Sequence, residues 1–268
     1  MQTPKHARIR ISAISMLHYA KLVCRSGLLL VMLCVYLYNR IRHTGCILGG
    51  YDENPVVLSV LWVAFTAEMI LRLFPSKLES MGCQKQFARN FRPRRTPPAR
   101  QPLPPHTAKG TFYSAAAWII LNGLIGVLYF TGIIDKGILL LICVTYSVCD
   151  MICILFFCPF QTWFLKNKCC TTCRIYNWDY AMIFTPLVFI PSLYSYSLLA
   201  LSLVLLVYWE IQVHLHPERF SEEQNENLSC QYCTEKLCQH KHQLHTLQKK
   251  LFAEMKSKSE KKHSDAGT

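Results

Sequence analysis

The sequence predicts an all-α fold, a polytopic integral membrane helical bundle of about six transmembrane helices followed by a small Cys/His-rich cytoplasmic tail. Three observations carry that expectation. Apolar residues make up 51 % of the 268-residue chain and charged residues only 17 %, a balance that suits contact with lipid better than a surface facing water. Six apolar blocks lie between residues 26 and 214. The polar connections joining them swing between strongly basic and nearly uncharged.

A spanning helix needs about 20 mainly apolar residues, because each backbone N–H and C=O must be paired inside the segment where water is absent. Residues 1–25 form a basic segment carrying Lys5, Arg8, Arg10, Lys21 and Arg25 without an acid. The first block, Ser26 to Tyr38, is short. It gains length by extending back through Ser15 to Ala20 with Lys21 and Arg25 snorkelling to the headgroups, or Ile9 to Arg25 lies as an interfacial helix. The bulky run Leu33-Cys34-Val35-Tyr36 offers no signal-peptidase site, which favours a retained anchor.

The second block, Pro55 to Phe74, completes a helical pair over 26–74. The loop at 75–110 holds seven prolines and eight basic residues, too polar a mixture to bury a core, and is expected to be unfolded. Its charge suits anionic lipid headgroups. Nucleic acid is a poor fit, since Phe87 and Phe91 are too few to stack bases.

Residues 111–158 read as a hairpin of Thr111 to Phe130 and Gly137 to Cys158, with only Asp135 and Lys136 charged between them. Asn122, Gly123 and Gly126 mark a close helix contact or a kink. A Cys-rich loop follows at 159–174. Residues 175–214 divide into Ile175 to Ile190 and Leu193 to His214, because Pro186 and Pro191 lack the donor that a continuing helix requires. One kinked span is the alternative. The tail, 215–268, opens on the helix-stopping pair His216-Pro217. It ends in a helical pattern of Leu244, Leu247, Leu251 and Met255 that offers a surface to a protein partner.

Lysine and arginine favour the cytoplasmic side. That bias puts the N-terminus, 75–110, 159–174 and the tail inside, at the cytoplasmic (plasma) membrane.

Three groups of residues can carry chemistry. The tail places Cys230, Cys233, Cys238, His240 and His242 at metal-ligand spacing; two cysteines separated by two residues can share one zinc ion, and Cys238 with either histidine closes a tetrahedron of structural type. Iron–sulfur is the less fitting cofactor. Cys170-Thr-Thr-Cys173, with Cys169 adjacent and Cys158 before Pro159, reads as a second metal site, a thiol–disulfide pair or buried cysteines in a turn. Glu68, Asp150, Asp179 and Glu210 lie within roughly 6 to 12 Å of the inner boundary by helical rise. Ionisable groups at that depth are functional candidates, as an acidic path for a cation or for protons. Otherwise Glu68 pairs with Arg72 one turn on, and Asp179 and Glu210 reach interfacial water beside Trp178 and Trp209. Asp150 has no local partner and sits between Cys149 and Cys153, which share a helix face.

No phosphate-binding glycine loop, zinc-protease helix or nucleophile elbow is present. The sequence therefore favours a non-enzymatic, membrane-tethered binding or assembly module with a zinc-ordered tail. Ion or metal transport or sensing through the acids, and thiol oxidoreduction by Cys170 and Cys173, are its rivals.

Overall fold

The computed structural model describes residues 13–41, 55–75, 81–94, 105–167 and 169–229, with Gln231 and Thr246 alone beyond them. Every described element is helical, apart from one isolated antiparallel bridge between Pro93 and Asn225. The α-helices are α1 (Ala13–Ile41), α2 (Pro55–Leu71), α3 (Met81–Lys85), α4 (Pro105–Phe130), α5 (Lys136–Leu155), α6 (Asp179–Phe184) and α7 (Leu193–Leu215).

Among the described residues, four helices are long and apolar enough to cross a membrane: Ile14–Tyr38 within α1, Ala108–Phe130 within α4, and α5 and α7 throughout. The first block does extend backward, as one unbroken helix of 29 residues. Two of the six expected spans do not reach spanning length as helices. α2 has 17 residues, with a shorter apolar stretch at Leu61–Leu71. The block at 175–190 is a 3₁₀ turn at Tyr176–Trp178, the six-residue α6 and a second 3₁₀ stretch at Thr185–Phe189. Pro186 lies at the start of that stretch, where its missing N–H and fixed φ end regular α-hydrogen bonding.

Neighbour contacts give each segment its direction. α1 and α5 run antiparallel. Tyr19 and Leu22 pack on Met151, Ile154 and Leu155 at one end, and at the other the Tyr36 hydroxyl donates to Asp135 (3.3 Å). α2 and α7 run parallel, with the Ser59 and Tyr194 hydroxyls 3.4 Å apart and Trp62 Nε1 donating to Ser197 Oγ at 2.7 Å. We call the end holding the N-terminus of α1 the near end. The irregular segment at 176–189 starts there, where Asp179 meets Arg72. It finishes at the far end, where the Phe189 ring lies 5.7 Å from that of Phe130.

Close approach is written into two glycines of α4. A Cβ on Gly126 would lie 2.6 Å from the Phe189 ring, and one on Gly110 would lie 2.6 Å from the Phe164 carbonyl oxygen. Gly123, by contrast, faces open space. Two helix starts are capped by side chains that accept an otherwise orphaned N–H: Asp135 from Ile138 at 2.9 Å and Ser192 from Ser195 at 3.1 Å. The outer faces are apolar. Val23, Leu30 and Val31 on α1 and Ile119, Ile120 and Leu124 on α4 are each 60 % exposed or more, a surface matched to lipid and of the kind that marks a membrane protein.

The basic loop corrects the expectation that it is unfolded. Its residues 81–94 close over the near end together with the start of the tail. Phe87 is 8 % exposed and meets Trp209 edge to face at 5.1 Å, and Phe220 also meets the indole edge to face, at 6.2 Å. Withdrawing such a ring from water contributes about 1.5–3 kcal/mol. Asn225, fully buried, donates to the carbonyls of Lys85 (3.0 Å) and Arg219 (2.9 Å). Backbone bonds from Glu226 to Arg92 and from Arg94 to Gln224 complete the join. Averaging composition over the whole loop hid this, because apart from Pro75 its prolines begin only at Pro93.

Candidate functional site

The near end concentrates the chemistry in two adjoining features, a buried charge network and a thiol-lined cavity. The network begins with helix spacing. His18, Lys21 and Arg25 fall at i, i+3 and i+7 on α1 and so share one face. That face turns inward. Arg25 donates to Glu68 at 2.8 Å, to Asp150 at 3.3 Å and to the Ser147 carbonyl at 3.0 Å, while Lys21 sits 3.2 Å from Glu68. Both cations turn toward the Glu68 and Asp150 carboxylates of neighbouring helices, against the alternative in which they snorkel outward. The Tyr180 hydroxyl also donates to Glu68, at 2.8 Å.

Arg72 does not pair with Glu68 one turn back. It grips Asp179 with two parallel bonds of 2.7 and 2.6 Å, the fork geometry that makes guanidinium–carboxylate pairs strong. Its guanidinium lies over the Tyr180 ring at 4.7 Å, adding a cation–π contact. The side chains of Arg72 and Asp179 are only 5 % and 9 % exposed. Glu210 is held apart from this group, by both terminal nitrogens of Arg174 and by Trp178 Nε1 at 2.6 Å. Lys21, Arg25 and Arg72 thus balance Glu68, Asp150 and Asp179. The proposed acidic path is a charge-compensated cluster, and the candidate acids Glu68, Asp150 and Asp179 are brought together while Glu210 stands outside it.

Next to this cluster lies a partly open cavity of about 130 Å³. Cys149 and Cys153 of α5, Cys158 just after it, and Cys170 and Cys173 of the Cys-rich loop all line it, together with Asp150 and Asp179. Three separate segments therefore deliver five thiols to one space. The Cys153 and Cys158 thiols are hydrogen-bonded to each other. Pro159 opens a π-helical turn at Phe160–Leu165, and Gln161 within that turn organises the loop. Its Nε2 donates to the Asn167 carbonyl (2.9 Å), its Oε1 accepts from the Cys170 thiol (3.2 Å), and its backbone N–H donates to Cys158 Sγ (3.4 Å). Asn167 in turn donates to the Thr172 carbonyl at 2.7 Å, and Lys166 takes a left-handed φ of 50° to make the corner. Cys169 is not part of the cavity wall; its carbonyl accepts from the Thr172 hydroxyl. The ten described cysteines are thiols, and among the described residues no three Cys, His, Asp or Glu side chains gather around a point suited to one ion.

Of the residues predicted from sequence, Cys158, Cys170, Cys173, Asp150 and Asp179 meet at the cavity. Cys230, Cys233, Cys238, His240 and His242, and the terminal helical pattern, lie outside the described residues. Sequence reasoning missed His18, which is 3 % exposed with neither ring nitrogen hydrogen-bonded, and it missed Gln161. The i, i+3, i+7 spacing on α1 was the available signal for the first; nothing local announced the second. Compared with family models, with curated proteins and with solved structures, the chain matches none.

Proposed function

We propose that the chain is a six-crossing membrane protein that performs thiol–disulfide exchange at its near end, with Cys170 and Cys173 as the exchanging pair and Cys153 and Cys158 as the pair that passes electrons onward. One observation carries this reading: five cysteines from three segments share one cavity with a carboxylate, Asp150, in its wall. In each exchange a thiolate attacks a sulfur of the opposing disulfide. One S–S bond forms as the other opens, and two electrons and two protons pass from the attacking dithiol to the sulfurs of the disulfide that opens. Basic residues support a cytoplasmic near end, since Lys21, Arg25, Arg72, Arg174 and Arg219 lie there while the described far-end residues around Asp135 offer only Arg40 and Lys136. The irregular crossing at 176–189 supplies the fifth transit, and the exposed basic residues Arg89, Arg92 and Arg94 face the headgroup layer.

Equilibrating the purified full chain in dithiol redox buffers and trapping thiols by alkylation tests this. Two reversible couples are expected, one lost in Cys173→Ser and the other in Cys158→Ser. Thiols that never form an intramolecular disulfide under oxidised buffer would refute the exchange.

A second reading, the structural zinc ion in the tail, is favoured by one packing fact. α3 touches both the Cys170–Thr172 turn and the Glu226–Leu228 turn, so the described part of the tail ends, at Ser229, near the thiol-rich end. There zinc would order the tail as an assembly surface, because site assembly and local folding share one free energy. Elemental analysis should find stoichiometric zinc that is lost in Cys233→Ser; folded, metal-free protein after purification without chelator excludes it.

A further inference from the structure

We infer that the thiol-lined cavity is the seat of a membrane-soluble quinone headgroup, the acceptor of the electrons released when Cys153 and Cys158 close to a disulfide. The inference rests on the thiol-exchange reading above and names the oxidant for that same site.

Size comes first. A cavity of about 130 Å³ is close to the roughly 150 Å³ that admits a benzene ring. It takes one six-membered ring and has no room for a peptide or for glutathione disulfide. Being open on one side, it leaves a path for ring substituents and an isoprenoid chain.

The wall comes second. Trp118, Tyr146, Phe160 and Tyr176 line the space, with the Trp118 and Tyr146 rings 4.7 Å apart and the Trp118 and Phe160 rings 6.4 Å apart. Flat aromatic walls favour a planar guest through offset and edge contacts.

Charge comes third. Aromatic rings beside carboxylates ordinarily suit a cation, but here Asp150 is bonded to Arg25 and Asp179 to Arg72. Those bonds remove the net field a cation would need, and a neutral guest is favoured. A neutral, planar, lipid-borne ring enclosed by five thiols is one that can accept two electrons. The reaction balances without a further reagent: two S–H bonds break, one S–S bond forms, and the two electrons and two protons convert the quinone carbonyls to the hydroxyls of a hydroquinone.

The test uses the full chain, reduced, desalted and kept anaerobic in detergent, with decylubiquinone as the probe and diamide as a ring-free oxidant in a parallel arm. The expected result is one hydroquinone per disulfide formed, mapped to Cys153–Cys158 by mass spectrometry, with the rate falling by about tenfold or more in Cys158→Ser. Saturable quenching of tryptophan fluorescence by the same quinone, weakened in Trp118→Phe, reports occupancy independently of turnover. If diamide closes the cysteine pairs but decylubiquinone neither quenches saturably nor is reduced, the quinone seat is overturned while thiol exchange stands. If neither oxidant yields an intramolecular disulfide, both fall.

Discussion

Among the described residues at the far end of the bundle, polar contacts are neutral or, like the Arg40–Asp135 pair, solvent-exposed. Trp62 donates to Ser197, Tyr36 to Asp135, and Asp135 caps α5 while remaining 39 % exposed. At the near end, Lys21 and Arg25 pair with Glu68 and Asp150 while Arg72 pairs with Asp179, and Arg25, Arg72 and Asp179 are almost wholly enclosed. Removing a charge from water costs several kcal/mol that pairing only partly offsets, so apolar packing alone gives no reason for such a cluster. The contrast teaches where the molecule tolerates destabilising chemistry: beside the cysteine cavity, and not across the bundle from it.

The sharpest way to break that comparison is to strip one near-end cation. Arg72→Leu leaves Asp179 enclosed without its fork and should lower stability in detergent by about 3–5 kcal/mol, read as a shift in denaturant midpoint. A loss below about 1 kcal/mol would make the two ends equivalent. A smaller separation is expected from two glycines of one helix. Gly110→Ala drives a methyl against the Phe164 backbone, which cannot swing aside, and should cost about 1–3 kcal/mol. Gly126→Ala at the far end meets only the tip of the Phe189 ring and should cost less; equal losses would show that the near-end turn is as yielding as a side chain. The smallest effect belongs to Asp135→Ala, which removes a cap worth about 1 kcal/mol, and thermal melts that show a loss as large as for Arg72→Leu would erase the contrast.

Sequence pattern revealed the helical class and most span positions, because apolar runs are a local property and lipid imposes a length on them. Pairing partners were hidden for the opposite reason. Arg25 meets residues 43 and 125 positions away, and no local spacing announces a bond between helices that only the fold makes neighbours. The cavity was half legible. Cys170 and Cys173 stood out as a pair and Cys149 and Cys153 as a helix face, but their convergence depends on the turn around Gln161. The folded part of the basic loop was masked by prolines that lie mostly beyond it, although Phe87 was visible as an aromatic without a role.

The irregular segment at 176–189 carries a consequence of its own. A 3₁₀ turn rises about 2.0 Å per residue against 1.5 Å in an α-helix, so this mixed segment of 3₁₀, α and 3₁₀ turns stretches to roughly 25 Å where an equal α-helix would stop near 21 Å. The polypeptide thus runs from one end of the bundle to the other by unwinding instead of adding sequence. Tyr180, one residue past the Asp179 anchor, sits in the α-helical middle of that thread, and the added reach comes from the 3₁₀ turns on either side of it.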